Sequence, residues 1–391
     1  MKKFFILSLF FFLTLLKADA LEQEELKDVG IAKYAVIEAK ADYSPVRVAP
    51  DENAKRFSHL RKGFVTYADK EYKNFYRVDL GLDDYYWMEK KYADIQAIIP
   101  QKRIQKIDEI KFDENKEKYS VFIPLDIQNS YSFKEVQDGL EFYLYDVDCP
   151  DIVIKNKPGS FSYDTKNNTL CLKYISPALF GYDVIPHKKG LVLMVKKPPQ
   201  INRKKPLKGR KIVLDAGHGG EESGVCAFGH KEKDVNLKIS KQTKKALSKK
   251  GAKVYMTRKR DRYVPLYDRV AFAQEKKADI LLSIHQNSLP NPKDVVKKHG
   301  VGVYYYNKQA YVLAESIQKS LLKQTGFRDD GVNFASFALT RPTYPVSALV
   351  ECGYLIDKNE MQKLTNKKFQ KELARALALG AENYLRYLIV F

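Results

Sequence analysis

Two histidines and two glutamates stand where apolar or helix-like runs of this chain meet polar or glycine-containing segments. His218 lies in the segment VLDAGHGG, His285 follows the apolar run DILLSI, and Glu351 follows the run VSALV. Glu232 opens a stretch with apolar residues at helical spacing. Open α/β sheets gather their functional groups at the carboxyl ends of strands, so we expect these four side chains to converge in space.

Three of these residues have the chemistry of a zinc site. A hydrolytic zinc ion takes three protein ligands and leaves one position open for water, and two histidines with one carboxylate form a known ligand set. His218, Glu232 and His285 fit that set, and His230 is close enough in sequence to Glu232 to be a rival ligand. We expect one zinc ion per chain and no other cofactor.

Glu351 is expected to move a proton rather than to bind the metal. It closes a very apolar segment, so its carboxylate would lie in a partly dry place, where desolvation raises its pKa toward the operating pH. Zinc lowers the pKa of a bound water to about 7. Glu351 would take a proton from that water and hand it to a leaving amine. The residue is therefore predicted to be the general acid/base.

The elements that would position these side chains lie in residues 207–391, where strand-like and helix-like segments alternate. The strand candidates are KIVLDA, KVYMT, DILLSI, GVYYY and VSALVE. Helices with apolar residues at helical spacing are expected to begin at Lys233, near Pro265, near Gln309 and near Lys367. This alternation predicts an α/β domain with a mostly parallel sheet flanked by helices.

Residues 35–97 predict the first of two small all-β domains. Their short β-type runs are separated by prolines and glycines, which is typical of a small barrel. The arginine-containing strand at 46–50, the lysine-glycine turn at 62–63 and the aromatic ending at 86–88 resemble a bacterial SH3-like domain. In the alternative interpretation, the aromatic side chains around Trp87 simply fill a small core.

Residues 98–200 predict the second all-β domain. Their β-type runs are separated by turn signals at 157–159 and 166–168, which indicates a β-sandwich-like domain. No residue in it suggests chemistry. We expect the two β domains to hold the protein on a surface or on a protein partner.

The amino terminus predicts export. Residues 1–20 combine a charged start, an apolar core and a small-residue cleavage site, which is the pattern of a signal peptide. The apolar run is too short to span a bilayer, so we expect no transmembrane anchor. A formal net charge of +20 favours an anionic partner. Because exported proteins rarely meet nucleic acid, we expect cell-wall polymer as partner, with the protein in the periplasm or cell wall.

The four cysteines leave their redox state open. Export would permit disulfides, and pairing Cys149 with Cys171 and Cys226 with Cys352 is one of three arrangements. No two of them form a CxxC motif, so they do not suggest a thiolate zinc site. Cys226 and Cys352 are close in sequence to the two candidate glutamates and are expected to line the site as small buried residues.

Four ordered motifs resemble those of the zinc-dependent N-acetylmuramoyl-L-alanine amidases of the third amidase family. They are LDAGHGG around His218, EKDVNL from Glu232, SIHQN around His285 and VECGYL around Glu351. The resemblance covers nearly all of residues 207–390, and Thr257-Arg258 and the stretch at 268–273 also match in order and spacing. It implies zinc binding by His218, Glu232 and His285 and general acid/base catalysis by Glu351.

The same resemblance implies an exported peptidoglycan hydrolase. Such an enzyme uses zinc-activated water to cleave the amide between N-acetylmuramic acid and the L-alanine of the stem peptide. Two other functions stay open: a zinc peptidase or deacetylase that acts on the cell wall, and a non-catalytic wall-binding protein that has kept the fold.

Two departures from the family pattern bear on regulation. The family usually follows the last motif with a serine-asparagine pair, whereas Ile356 and Asp357 stand here. Some relatives carry a long insertion after the second histidine that covers the zinc until an activator moves it. Here only residues 289–299 separate the third motif from the next strand, and Pro290 and Pro292 oppose a helix at the start of this segment. We therefore expect a site without such a cover.

Overall fold

The computed structural model describes residues 27–28, 34–41, 44–60, 62–80, 85–125, 129–288 and 299–389. The predicted signal peptide at 1–20 and the predicted short loop after the third motif, at 289–298, lie outside the described residues. No helix within the described part is long and apolar enough to cross a membrane.

Residues 27–99 form one antiparallel sheet. Its strands are β1 (Lys27–Asp28), β2 (Tyr34–Ala39), β3 (Ser44–Arg47), β4 (Arg56–Leu60), β5 (Val65–Tyr72), β6 (Phe75–Asp79), β7 (Tyr86–Glu89) and β8 (Ala93–Ile99), with the short 3₁₀ helix Lys90–Tyr92 before β8. They follow the order β4-β3-β7-β6-β5-β2-β8, with β1 paired to β5. Tyr86 and Trp87 are buried, as the core-filling interpretation requires, whereas Tyr85 is exposed.

The described residues between 105 and 196 form two packed, mainly antiparallel sheets and a short two-stranded parallel sheet. Their strands are β9 (Gln105–Lys106), β10 (Glu109–Glu114), β11 (Lys118–Pro124), β12 (Tyr131–Val136), β13 (Gly139–Tyr145), β14 (Val147–Asp148), β15 (Val153–Lys155), β16 (Phe161–Lys166), β17 (Thr169–Ile175), β18 (Tyr182–His187) and β19 (Gly190–Lys196). One sheet has the order β15-β10-β11-β19-β18 and the other β12-β13-β17-β16. Phe112 and Phe161 meet edge to face between them, with ring centroids 5.0 Å apart, so one apolar core joins the two sheets.

The described residues from 211 onward form a six-stranded sheet with helices and a separate two-stranded ribbon. The strands are β20 (Lys211–Ala216), β21 (Cys226–Ala227), β22 (His230–Lys231), β23 (Lys253–Met256), β24 (Ile280–Asn287), β25 (Val301–Tyr305), β26 (Asp329–Phe334) and β27 (Val346–Tyr354). The helices are α1 (Glu232–Lys249), α2 (Leu266–Glu275), α3 (Tyr311–Thr325), α4 (Lys358–Thr365) and α5 (Lys367–Tyr387), with the 3₁₀ helix Lys308–Ala310 before α3.

The order of the large sheet is β23-β20-β24-β27-β25-β26, and β21 pairs with β22 as a separate ribbon. Every pair in the large sheet is parallel except β25 with β27. Helices α1, α3 and α5 pack on one face through a core that includes Ile239, Ile317 and Leu377. Helix α2 packs on the other face, where Val270 contacts the cluster around Val213. Parallel strands covered on both faces explain why these strands read as continuous apolar runs.

Local sequence signals set the ends of several helices. The Asp357 side chain accepts a hydrogen bond from Glu360 N at the start of α4, and the Asn366 side chain caps the start of α5. Gly326 ends α3 in the left-handed conformation, with φ of +62°. The sequence analysis did not predict α4 or β26.

The four cysteines correct one expectation. All of them are free thiols, so neither of the suggested disulfides is present. Cys149, Cys171 and Cys352 are buried as small apolar residues, whereas Cys226 is exposed on β21 and does not fill a buried position beside the site. The order of the cysteines along the chain therefore does not indicate which sulfur atoms are bonded.

The two β regions contact one edge of the large sheet. The parallel strands β20, β24 and β27 begin at this edge, which we call the amino edge, and end at the opposite carboxyl edge. Lys196 Nζ lies 2.7 Å from Asp279 Oδ1, just before β24, and Tyr182 N donates to Thr343 O, before β27. Gln309 N donates to Glu135 Oε2 over 2.8 Å. These contacts between described residues all lie at the amino edge.

Candidate metal centre

The four predicted site residues meet at the carboxyl edge of the large sheet. His218 follows β20 in the left-handed conformation, with φ of +59°. His285 lies near the end of β24, and Glu351 is its partner in register on β27. Glu232 is the first residue of α1. Parallel neighbouring strands bring their carboxyl ends together, which explains how residues more than a hundred positions apart become adjacent.

His218, Glu232 and His285 form a compact cluster of metal-binding groups. His218 Nε2 lies 3.2 Å from Glu232 Oε2, and His285 Nδ1 lies 3.0 Å from Glu232 Oε1. One ligand atom from each residue lies within 4.8 Å of the other two. The Glu232 side chain is only 3% exposed, whereas those of His218 and His285 are 30% and 18% exposed. This donor set fits a zinc ion with one position reachable from solvent.

Glu232 is held in place by three further donors. Val225 N donates to Oε2 over 3.0 Å, while Gln286 N and the Asn236 side chain each donate to Oε1 over 3.1 Å. Burial alone would raise the pKa of the Glu232 carboxyl, but its bonds to the two imidazoles outweigh this and hold the pKa well below its ordinary value. A buried carboxylate that stays ionised is suited to a cation.

Glu351 is the least satisfied carboxylate of the site. The residue is partly exposed, but its Oε2 atom is buried and has no hydrogen-bond partner among the described residues. Burial is the largest cause that raises its pKa; His285 lowers the pKa and the charges of Glu232 and Asp330 raise it, and together these effects bring it to about 7. This is the partly dry carboxylate that the sequence analysis expected. Such a group can accept and return protons near neutral pH.

Two buried arginines form the part of the site that sequence reasoning missed. Arg258 Nε donates to Ala216 O over 2.8 Å, and its Nη2 donates to Gly217 O over 2.9 Å and Lys233 O over 2.7 Å. The Arg258 side chain therefore ties the loop that carries His218 to the first turn of α1. It is 1% exposed. An unpaired polar group at this depth would be costly, so each donor has a partner that fixes the loop.

Arg269 on α2 holds the same loop from the other side. Its Nη1 donates to Asp215 Oδ1 over 2.8 Å and to Ala216 O over 2.9 Å, and its Nη2 donates to His218 O over 3.0 Å. Ser283 and Thr257 hydroxyls also donate to Asp215. The sequence signal was present, since both arginines fall in segments that resemble the family, but a charged residue in a lysine-rich chain did not indicate burial.

The cluster also has an ordered polar neighbour on the far side of Glu351. Asn287 Nδ2 donates to Tyr354 Oη over 2.9 Å, and Tyr354 Oη donates to Asp330 Oδ2 over 2.8 Å. These bonds connect β24, β27 and β26 at the carboxyl edge. These hydrogen bonds hold the side chains of Asn287, Tyr354 and Asp330 in place beside Glu351.

His230, the rival ligand, is not part of the cluster found among the described residues. It lies on the β21–β22 ribbon, where it pairs with Ala227. Proximity in sequence to Glu232 therefore does not place the imidazole of His230 with those of His218 and His285.

Gly217 leaves the space that the His285 ring occupies. A Cβ atom at this position would lie 2.2 Å from the His285 ring, closer than any two such atoms can approach. Replacing Gly217 by alanine is therefore expected to displace that ring, to weaken zinc binding by about tenfold or more and to cost about 1–3 kcal/mol of stability. Metal titration and thermal unfolding would measure both effects.

Gly159 offers a matched control for that substitution. A Cβ atom there would meet nothing within 4 Å, and its φ is not in the left-handed region. The Gly159→Ala variant should bind metal as the parent does. Equal metal binding by the Gly217→Ala variant would contradict the packing role of Gly217.

Comparison with known proteins gives consistent matches to one family. Residues 212–383 match the family model described as N-acetylmuramoyl-L-alanine amidase, and this range contains all four site residues. The uncharacterized protein YqiI of Bacillus subtilis is 32% identical over 199 residues, which is 50% of this chain and 93% of that relative. The probable cell wall amidase LytH of Staphylococcus saprophyticus is 36% identical over 183 residues.

The shares covered differ between these relatives. The match to LytH spans 46% of this chain and 60% of LytH. Among solved structures, the N-acetylmuramoyl-L-alanine amidase AmiC2 of Nostoc punctiforme is 35% identical, with a TM-score of 0.43 and coverage of 46% of this chain and 98% of AmiC2. Each match covers half of this chain or less.

Proposed function

The chain belongs to the N-acetylmuramoyl-L-alanine amidase family, and from that premise we propose that it is an exported peptidoglycan hydrolase with its catalytic domain at residues 207–391. The reaction is hydrolysis of the amide between the lactyl group of N-acetylmuramic acid and L-alanine. The observation that carries this proposal is the His218–Glu232–His285 cluster with Glu351 beside it at the carboxyl edge of the large sheet.

His218, Glu232 and His285 would hold one zinc ion per chain. When bound, zinc supplies a Lewis acid that polarises the scissile carbonyl and lowers the pKa of water. The donor set supports this choice, because imidazole nitrogens and one carboxylate suit zinc and the exposed imidazoles leave an open position. Glu232 contributes the negative charge, and its hydrogen bonds with Val225, Asn236 and Gln286 keep it in place.

Glu351 carries the proton in this proposal. It accepts a proton from the attacking water as the new C–O bond forms at the lactyl carbonyl carbon. It then donates that proton to the leaving nitrogen as the C–N bond breaks. The products are a lactyl carboxylate on the glycan and a free α-amino group on L-alanine. A pKa raised to about 7 suits both halves of this transfer.

The backbone around His218 is prepared for this task by Arg258 and Arg269. Their guanidinium groups bind the carbonyl oxygens of Ala216, Gly217 and His218, so those oxygens do not point into the site. The loop keeps its left-handed turn without help from substrate. A site that is ordered in advance loses less free energy when it binds a transition state.

The amino-terminal β regions would attach the enzyme to its surroundings. We propose an SH3-like domain at 35–97 and a β-sandwich-like domain at 98–200, following a signal peptide at 1–20. These domains would contact wall polymer or a protein partner in the periplasm or cell wall. The formal net charge of +20 supports an anionic polymer as the partner.

Access to the site is expected to be permanent. The described contacts of the β regions lie at the amino edge, whereas the side chains of His218 and His285 at the carboxyl edge are partly exposed. The predicted short segment without a covering helix lies at 289–298, outside the described residues. Purified enzyme loaded with zinc should therefore digest peptidoglycan without an added activator.

Mass spectrometry of digestion products is the experiment that tests the function. Peptides released from purified peptidoglycan should begin with a free L-alanine amino group, and the glycan should keep its N-acetyl groups. A cut within the peptide would indicate a zinc peptidase, and a freed amino sugar would indicate a deacetylase. Absence of any product with zinc-loaded protein would favour a non-catalytic wall-binding protein.

A further inference from the structure

A cavity of about 620 Å³ lies where the three parts of the protein meet. Its walls come from the amino-terminal sheet, from β12, β13 and β18 of the middle sheets, and from the segments that follow β25 and precede β27. The hydrogen bond from Tyr306 Oη to Phe57 O, 3.2 Å long, joins two of its walls. Small-molecule sites commonly occupy such junctions and have volumes of roughly 300–1,000 Å³.

Aromatic rings dominate the walls of this junction cavity. The rings that matter for its shape are those of Phe57, Tyr131, Phe133, Tyr145 and Tyr306. All five side chains are partly exposed although they lie where three parts of the protein meet. Aromatic rings that line a cavity can pack against the apolar face of another ring system. The walls therefore suit a ring-shaped ligand such as a sugar.

A buried cation gives the cavity its second property. Arg341 lines it and is only 5% exposed. Its Nε donates to Ser336 Oγ over 2.9 Å and its Nη2 to Ser336 O over 2.7 Å. These neutral partners fix the guanidinium, but no carboxylate of the described residues lies within ion-pair distance of it. A buried charge without a counter-ion is costly.

The surroundings increase that demand for an anion. Burial lowers the pKa of Arg341, and repulsion from Arg56 on β4 lowers it further. Lys134 also lines the cavity, while Asp183 is the acidic residue in its wall. Two basic side chains, Arg341 and Lys134, and one acidic side chain thus line the same aromatic pocket, with Arg56 near Arg341 outside it. Guanidinium groups favour planar oxyanions because they can donate two parallel hydrogen bonds.

We propose that this junction cavity binds a sugar that bears a carboxylate, with the ring against the aromatic walls and the carboxylate on Arg341. The ligand class rests on the proposed function: amide cleavage leaves a lactyl carboxylate on N-acetylmuramic acid, whereas the uncut sugar carries a neutral amide there. The cavity would therefore recognise glycan from which stem peptides have already been removed. It lies at the amino edge, away from the metal cluster.

The test uses a matched pair of ligands with the full-length protein. N-acetylmuramic acid and N-acetylglucosamine share a ring, and only the first carries the lactyl carboxylate. Titration calorimetry should show binding of the first and at least about tenfold weaker binding of the second. The His285→Ala variant should bind N-acetylmuramic acid as the parent does, because the metal cluster is at the opposite edge.

Two substitutions locate the site. Arg341→Gln should weaken binding at least about tenfold, and Arg56→Gln, at a half-exposed position, should weaken it by a smaller factor. Thermal unfolding would check whether the Arg341→Gln variant folds. If it does not fold, the binding affinities of the Arg56→Gln and Phe133→Ala variants for N-acetylmuramic acid test the proposal instead. Unchanged binding in the folded variants would overturn the proposal.

Other results distinguish a failure of the junction-cavity proposal from a failure of the proposed amidase function. Equal affinity for the two sugars, or loss of binding in His285→Ala alone, would overturn the junction site whether or not the protein is an amidase. Preference for a sugar phosphate over N-acetylmuramic acid would also overturn it, by identifying a different anion. Binding at the junction combined with no amidase product would refute the proposed function while leaving the cavity's ligand class intact.

Discussion

Replacing Glu351 by glutamine is expected to lower kcat for cleavage of the muramoyl-L-alanine amide by about 10²–10⁴-fold while zinc stays bound. Glutamine keeps the shape of the side chain but can neither accept nor return a proton. Glu351 is not one of the three residues of the metal cluster, so the ligand set is unchanged. The measurements are turnover on purified peptidoglycan and zinc content by elemental analysis.

Glu221 provides the control for this substitution. It is an exposed glutamate on the loop that follows His218, so Glu221→Gln removes the same charge near the site without changing the buried carboxylate. That variant should keep turnover within a few-fold of the parent. Full activity in Glu351→Gln would sink its assignment as general acid/base, and loss of zinc would move Glu351 into the ligand set.

Replacing His285 by alanine is expected to have the second large effect, which is a loss of zinc affinity and of amide cleavage. The cluster loses one of its three donors, and Glu232 loses the imidazole 3.0 Å from its Oε1 atom. We expect zinc affinity to fall by more than about 100-fold, beyond the loss seen when only an outer partner is removed. Amide cleavage should fall to background at zinc concentrations that saturate the parent. Metal titration with a competing chelator would measure the affinity.

His230 supplies the contrast, because sequence alone made it a rival ligand. It lies on the β21–β22 ribbon, outside the cluster found among the described residues. His230→Ala should bind zinc and cleave substrate like the parent. Equal zinc loss in both variants would show that the ion sits elsewhere, and retention of zinc in His285→Ala would remove that histidine from the ligand set.

The sequence predicted the residues of the candidate metal centre better than it predicted the contacts that hold them in place. His218, His285 and Glu351 could be recognised because each follows an apolar strand, and parallel strands bring such ends together. Glu232 depended on the resemblance, since a glutamate among lysines usually faces solvent. The burial of Arg258 could not be predicted although its segment resembles the family, because it depends on the carbonyl oxygens of Ala216, Gly217 and Lys233, which the packing of separate elements brings together.

The same limits apply to the fold. The apolar runs that became β20, β24 and β27 were predicted because they are buried on both faces of the sheet. Strand β26, with the sequence DDGVNF, was not predicted, because its polar residues form a strand only by pairing with β25. The contact between the β regions and the amino edge rests on single bonds such as Lys196 with Asp279, which no local pattern indicates.

Arg258 and Arg269, which hold the loop around His218 by hydrogen bonds, affect how zinc would bind at the proposed site. The loop is shaped by guanidinium–carbonyl bonds and by the Asp215–Arg269 ion pair, all of which join protein atoms to each other. These contacts hold the loop through protein atoms alone, so we expect that zinc at the proposed site can be removed and restored without loss of the fold.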